Sequence, residues 1–158
     1  MDVASDIDAG FRRCATPDER GSVVLEMAVV SPLLLLMVFG LLQFGVIMNS
    51  NITLNDAVRV GSRTLATMRG NADPCTATAN KMRAAAIGLA VANLSITITV
   101  NNTAYGPATI PSCAGAGATM VPGNDATARA TYPCSAVILG IDYIPSCTLS
   151  AQTSTRVE

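Results

Sequence analysis

One apolar stretch, from Ser22 to Met48, constrains the fold of this chain more than any other feature. It contains a single charge, Glu26, and the 22 residues from Met27 to Met48 contain none. A helix rising about 1.5 Å per residue would cover about 33 Å over those charge-free residues. Because the hydrocarbon core of a bilayer is roughly 30 Å thick, the stretch predicts a single membrane-spanning helix.

Two other interpretations of this stretch are weaker. A buried core helix would need apolar surroundings on every side, and the rest of the chain has too little apolar bulk to supply them. A signal peptide usually has an apolar region of about 7–15 residues followed by a small-residue cleavage site. This run is longer, and no clear A-x-A site follows Met48. We therefore interpret it as a retained membrane anchor.

Composition argues against several classes of function. The formal net charge is −1, so a nucleic-acid-binding role has no electrostatic support. The chain has no His, which removes the commonest general base and the commonest metal ligand. The aspartates beyond the anchor are scattered along the sequence: Asp56, Asp73, Asp125 and Asp142. We expect neither an enzyme nor a cofactor or metal site.

The cysteines divide unevenly about the anchor. Cys14 precedes it, whereas Cys75, Cys113, Cys134 and Cys147 follow it, and no two form a C-x-x-C pair. A zinc site is therefore weakly supported. An even number on one side suggests two disulfides in an oxidising compartment. Three pairings are open, and our working choice joins Cys75 to Cys113 and Cys134 to Cys147.

The regions on either side of the anchor differ in pattern. Residues 1–20 are polar and show no apolar period, which predicts a disordered cytoplasmic leader. Beyond the membrane the helix is expected to continue to Arg69 and to stop at Gly70. Apolar residues mark one of its faces at helical spacing: Leu54, Val58, Leu65 and Met68. Pro32 should kink the helix, because it lacks an N–H.

The sequence after Gly70 predicts a small folded domain. Asp73 and Pro74 are typical of a helix start, and this second helix is expected to reach Ala92. Alternating residues predict a strand at Leu94–Val100, a turn at Asn101–Asn102 and a long loop over 106–125. Three further strands are predicted: Ala126–Tyr132, Ala136–Tyr143 and Thr148–Val157. The fold class is therefore α+β, with one antiparallel sheet packed on the amphipathic half of the long helix.

The charged leader meets the apolar helix at Arg20-Gly21-Ser22-Val23-Val24-Leu25-Glu26. A carboxylate in an apolar membrane segment is costly. One interpretation is that Glu26 simply reaches the membrane surface. The other is that the chain is cut after Gly21, which gives Ser22 a free α-amino group. Glu26 of a neighbouring helix would then pair with that group and offset both desolvation costs.

At these residues the sequence resembles a type IV prepilin, and specifically the TadE-like family of tight-adherence (Flp) pilus systems. The run Ser31-Pro32-Leu33-Leu34-Leu35 is similar to the anchor of that family. Ala57–Thr64, AVRVGSRT, resembles its "AAREGAR" segment just beyond the membrane. The closing residues Thr148–Glu158 resemble its last strands.

The resemblance implies a minor pilin-like subunit, or pseudopilin, with a pilin-like fold and no enzymatic activity. Prepilin peptidase would cut between Gly21 and Ser22. The mature chain would support pilus assembly at the inner membrane with a TadF-like pseudopilin, the Flp pilin and the assembly platform. Its expected parts are a cytoplasmic leader (1–21), a membrane part (22–48), a helix continuation (49–70) and an extracytoplasmic domain (71–158).

Two points remain open in the sequence. Arg59 and Arg63, one turn apart above the membrane, are candidates for contacts with other subunits or with lipid headgroups, although an arginine-rich helix face at the membrane interface also explains them. The alternative to a pilus subunit is an uncleaved, membrane-tethered binding domain. Reversing the charge of Glu26 separates the two functions, because only an assembly subunit should fail to tolerate it.

Overall fold

A computed structural model describes residues 17–134, 137–138, 140–142 and 144–158 of the chain. The leader up to residue 16, with Cys14, lies outside the described residues. The described chain is α+β, as predicted. It has a long N-terminal helix, shorter helices and a four-stranded antiparallel sheet.

The long helix, α1, runs from Pro17 to Ala66. It begins five residues before the predicted start at Ser22, so the expectation of a non-helical leader is wrong for residues 17–21. Proline followed by acidic residues is the composition favoured in a first helical turn. The helix also ends before the predicted Arg69. There Thr67 N donates to Thr64 O at 3.2 Å and Met68 N donates to Leu65 O at 3.2 Å, which tightens the last turn. Gly70 then leaves the helical conformation with φ +78°.

The chain divides into two units between Leu41 and Leu42. The first is helical throughout its described part. The second, Leu42–Glu158, contains the hydrophobic core. Within this second unit, one face of α1 is buried together with the inner face of the sheet. The fully buried helix residues recur at helical spacing: Leu54, Ala57, Val58 and Leu65.

The main sheet has four antiparallel strands in the order β2-β1-β3-β6. Their bounds are Ser95–Val100 (β1), Thr103–Ala108 (β2), Asp125–Pro133 (β3) and Thr148–Arg156 (β6). Two short strands, β4 at Val137–Ile138 and β5 at Ile141–Asp142, form a separate hairpin. The strands predicted near 94–100, 126–132 and 148–157 are therefore confirmed.

Side-chain size alternates across the inner face of this sheet. Ile96 and Ile98 of β1 are fully buried, and their register partners on β3 are Ala130 and Ala128. Large residues beside small ones fill the space under a helix without voids. The turn at Asn101–Asn102 is also confirmed. Both residues have positive φ (49° and 64°), which is the conformation of the common two-residue hairpin turn.

Three further predicted boundaries are wrong, and one strand has no counterpart among the predicted elements. The second helix, α2, spans Pro74–Ala85 and does not reach Ala92, because the chain turns at Gly88 (φ +87°) and continues as a short 3-10 helix at Val91–Asn93. The predicted loop over 106–125 includes the end of β2 and a four-residue helix, α3, at Ala116–Thr119. The strand predicted at Ala136–Tyr143 is the β4–β5 hairpin. Finally, β2 itself was not anticipated.

Two disulfides link the domain, and each joins the cysteines of the working choice. Cys75, in the first turn of α2, is bonded to Cys113, with a Cα–Cα distance of 5.4 Å. Both residues are almost fully buried in the core. Cys134 is bonded to Cys147, with a Cα–Cα distance of 5.0 Å, and this bond closes the segment that carries β4 and β5.

Replacing Gly61 by alanine should destabilise the domain by about 1–3 kcal/mol. A Cβ at this position would overlap the Cγ and Sδ atoms of Met82 on α2, and Met82 is itself fully buried. Gly45→Ala is the matched control, since a Cβ there meets no atom within 4 Å and alanine favours the helix. Thermal unfolding in detergent measures both. Equal or higher stability of Gly61→Ala would show that Met82 moves aside at no cost.

Candidate functional site

The predicted cleavage site lies inside α1. Gly21 and Ser22 are exposed, and a Cβ on Gly21 would meet no atom within 4 Å among the described residues. Glu26 is four positions after Ser22, so the two lie on the same side of the helix, about one turn apart. The structure therefore brings these two predicted site residues together on one open helix face.

Glu26 lies among exposed apolar side chains. Its neighbours Leu25 and Met27 are 69% and 65% exposed. Within the described residues, no hydrogen bond or ion pair involves the Glu26 carboxylate. A carboxylate on an apolar, membrane-length helix needs either water or a cationic partner. The role of Glu26 in assembly stays a prediction.

The helix that carries Glu26 is long and apolar enough to cross a membrane. The candidate span is Gly21–Ala66, its most apolar window has a mean hydropathy of 2.3, and none of that window is buried. These properties suggest single-pass membrane anchoring. Pro32 lies within this helix, which continues on both sides of it, and the predicted kink stays a prediction.

Above the apolar run, the segment AVRVGSRT divides between two faces of α1. Its small residues Ala57, Gly61 and Ser62 are buried against the domain, whereas Arg59 and Arg63 are exposed. The Arg59 Nη1 atom lies 3.9 Å from the Asp56 Oδ1 atom, an exposed pair that contributes little to stability. The two arginines thus share an exposed face one turn apart. Their contact with subunits or lipid headgroups stays a prediction.

Asp73 has a larger structural role than the predicted helix cap. Its carboxylate accepts hydrogen bonds from Thr76 N at 3.1 Å and Thr76 Oγ1 at 2.8 Å, as an N-cap does. It also accepts from Ser112 Oγ at 2.6 Å and Cys113 N at 3.0 Å. Asp73 therefore ties the start of α2 to the loop that carries the disulfide partner of Cys75. Sequence reasoning missed the second pair of bonds, because their donors lie about forty residues away.

These bonds control the charge of Asp73. Burial disfavours the carboxylate and acts to raise its pKa. The hydrogen bonds from Ser112, Cys113 and Thr76 outweigh burial and hold the pKa of Asp73 well below its usual range. Asp73, Cys75 and Cys113 also form a group of potential metal ligands within the described residues. Since the two sulfurs are bonded to each other, neither is a thiolate available to a metal.

Asp73→Ala should destabilise the domain by about 1–2 kcal/mol at neutral pH, because it removes a helix cap. The folded-state pKa is lowered, so the carboxylate stabilises the fold above the unfolded pKa of about 3.9 and loses that effect as the pH falls further. The difference in the free energy of unfolding between parent and variant should therefore become smaller below about pH 4. Unfolding at several pH values measures it. Asp125→Ala, at an exposed pair with Arg156, is the control and should change little. A difference that does not change with pH would contradict the charged cap.

Three other carboxylates beyond the anchor also have local partners. Asp56 faces Arg59, Asp125 Oδ1 lies 3.9 Å from Arg156 Nε, and Asp142 Oδ1 accepts a hydrogen bond from Ile144 N at 3.0 Å. Within the described residues these pairs are separate from one another. They are explained as turn and surface interactions.

Residues 21–63 match the model of the protein family described as TadE-like protein. This segment is TadE-like. The match begins at Gly21, includes Glu26 and the apolar run, and ends at Arg63. No curated protein and no solved structure matches the chain.

The TadE-like match assigns the segment a coarse role. It supports a pilus-associated, pilin-like role, and the TadE-like family consists of structural components of the pilus. The sheet domain after residue 63 lies outside the match, as do the last strands in which a likeness was expected. The match also supports interaction with other pilus components.

Proposed function

We propose that this chain is a minor pilin-like subunit that assembles with a tight-adherence pilus after prepilin peptidase cuts it between Gly21 and Ser22. One observation carries the proposal. The TadE-like match starts at Gly21, at the head of a long helix whose apolar side chains are exposed and whose other end belongs to a disulfide-linked sheet domain. A subunit that is held in the membrane before assembly, and that then packs through its helix against other helices, needs an exposed apolar helix joined to a small folded domain.

Cleavage requires the first turns of α1 to open. The Gly21–Ser22 bond is helical, and a membrane protease needs an extended backbone at the bond it cuts. Gly21 lowers the cost of opening, because glycine is about 1 kcal/mol less favourable than alanine inside a helix. Within the described residues, the part of α1 that precedes the bond is Pro17–Gly21, and this part would unwind when the bond is cut.

The cut would change the charge at the head of the helix. Ser22 would gain a positive α-amino group, and the amide N–H groups that bonded to residues 18–21 would lose their acceptors. The helix dipole makes this end positive as well. A carboxylate four residues along, or on a neighbouring helix, would be drawn to it. Glu26 pairing with the α-amino group of a neighbouring subunit would set the stagger between helices.

The partners follow from this assignment. Prepilin peptidase would act on the chain as its substrate. A TadF-like pseudopilin, the Flp pilin and the assembly platform of the inner membrane would pack against the apolar helix. Arg59 and Arg63 would contact a neighbouring subunit or lipid headgroups just above the membrane. The domain would face the periplasm, with the leader in the cytoplasm.

Complementation of a host strain that lacks this chain tests the proposal. The parent chain should restore surface pili, counted by electron microscopy. A chain in which residues 22–48 are replaced by an unrelated leucine-rich span should reach the membrane but restore none. If the chain with the unrelated span restores pili fully, the protein is a tethered domain that needs no particular helix. That result would overturn the subunit assignment.

A further inference from the structure

We infer that the loop after α2, Ala86–Ala90, dips into the membrane surface through Ile87 and makes a second lipid contact beside the anchor helix. Ile87 is the most exposed of the large apolar side chains in the described residues, at 81%. The partner we assign to it is the lipid bilayer. This inference rests on the anchoring of residues 22–48 in the membrane, which belongs to the proposed function.

The loop holds Ile87 outward in a defined conformation. Ala86 before it is buried, and its N–H donates to Met82 O at 3.0 Å. Leu89 after it packs against the core, and its N–H donates to Ala86 O at 3.2 Å. Ala90 N donates to the hydroxyl of Tyr132 at 3.3 Å. Because residues on both sides are fixed, the exposure of Ile87 is a property of the fold.

The loop lies level with the end of the apolar run. Gly88 lines a cavity of about 230 Å³ together with Val46, Ile47 and Ser50 of α1. Val46 and Ile47 belong to the last turn of the apolar stretch, which ends at Met48. If that run spans the hydrocarbon core, the residue next to Gly88 is placed where hydrocarbon gives way to headgroups.

The loop composition suits that boundary. No charged residue occurs between Arg83 and Asp125, so no charge in the loop opposes contact with acyl chains. Alanine, leucine and valine make up most of the residues around Ile87. An uncharged apolar tip continuous with a membrane-spanning helix is typical of interfacial insertion.

Single-tryptophan variants test the contact directly, because the chain has no tryptophan of its own. The full chain would be reconstituted in vesicles of phosphatidylcholine and phosphatidylglycerol, with or without bromine on the upper acyl chains. Ile87→Trp should lose a fraction of its emission to the bromine comparable to that lost by Leu42→Trp, which reports the anchor itself. Ile87 is exposed, so the substitution should not disturb the fold.

Val121→Trp is the matched control. Val121 is also an exposed apolar residue in a loop, at 52%. It lies near the other end of the domain, because Gly123 bonds to Val157 and Glu158 bonds to Ala66, the last residue of α1. Val46 and Ala66 are about 30 Å apart along the helix, so Val121→Trp should keep its emission.

The outcomes separate this inference from the proposed function. Quenching of Ile87→Trp and Leu42→Trp but not of Val121→Trp supports the loop contact. Quenching of Leu42→Trp alone overturns the loop contact and leaves the anchor intact. Equal quenching at positions 87 and 121 also overturns it, since the whole domain would then lie on lipid. If Leu42→Trp is not quenched, the anchor fails and the proposed function fails with it.

Discussion

Moving the charge of the spanning segment by one residue, with Glu26→Met and Met27→Glu combined, should abolish pilus assembly while the protein still enters the membrane. The exchange keeps composition, net charge and hydropathy unchanged. One helical residue rotates a side chain by about 100° around the axis, because a turn takes 3.6 residues. The carboxylate would no longer face the partner that it meets in a stack of staggered helices. Surface pili and the amount of chain in the inner-membrane fraction are the two measurements.

The exchange distinguishes pairing of the Glu26 carboxylate with another subunit from simple solvation of that carboxylate at the membrane surface. A glutamate whose carboxylate only extends to the membrane surface should be solvated equally well from position 26 or 27, because the two positions differ in depth by only about 1.5 Å. Glu26→Asp, which keeps the charge on the same face, is the matched control and should retain part of the assembly. Normal pili in the exchanged variant would contradict a specific role for Glu26.

Removing the disulfide between Cys75 and Cys113, with alanine at both positions, should destabilise the domain by about 4 kcal/mol. The two cysteines are 38 residues apart in the chain, so reduction releases a long loop in the unfolded state. A small domain has a total stability of about 5–15 kcal/mol. The variant should therefore be close to unfolding at physiological temperature. Urea unfolding followed by circular dichroism measures the loss.

The second disulfide supplies the control for this prediction. Cys134 and Cys147 are 13 residues apart, and the same entropy argument gives about 3 kcal/mol. That bond closes the β4–β5 segment, whereas the first connects two parts of the core. A larger loss from alanine at 134 and 147 than at 75 and 113 would contradict this assignment of stability.

The parts of the fold that were predictable are those specified by local patterns. The charge-free run predicts a long helix whatever surrounds it. Asp73-Pro74 is a sufficient signal for a helix start, and the alternation from Leu94 to Val100 is sufficient for a strand with one buried face. Each of these signals lies within a few residues of the element it specifies.

The missed elements lack such a signal. Strand β2, TAYGPA, lies at the edge of the sheet and buries none of its side chains fully, so it shows no apolar alternation. The residues after Ala85 are mostly alanine and other apolar residues, and a single glycine is tolerated inside many helices. Gly88 therefore does not by itself predict the turn that its φ of +87° makes. In the region of β4 and β5, one apolar run covers two strands of two residues each.

The candidate site was predictable to a similar extent. Gly21, Ser22 and Glu26 stand out because a lone charge at the start of an apolar run is unusual. The burial of Ala57, Gly61 and Ser62 could not be predicted, because it depends on which parts of the domain pack against this face of the helix. The bonds from Ser112 and Cys113 to Asp73 are equally non-local.

The intact mass of the protein shows whether the chain is processed into a subunit. The protein would be recovered from its native membranes, and its intact mass and N-terminal sequence measured. A chain that begins at Ser22 is the result expected here. A chain that still carries Met1–Gly21 in cells that contain the peptidase would contradict processing, and a tethered domain would then be the better description.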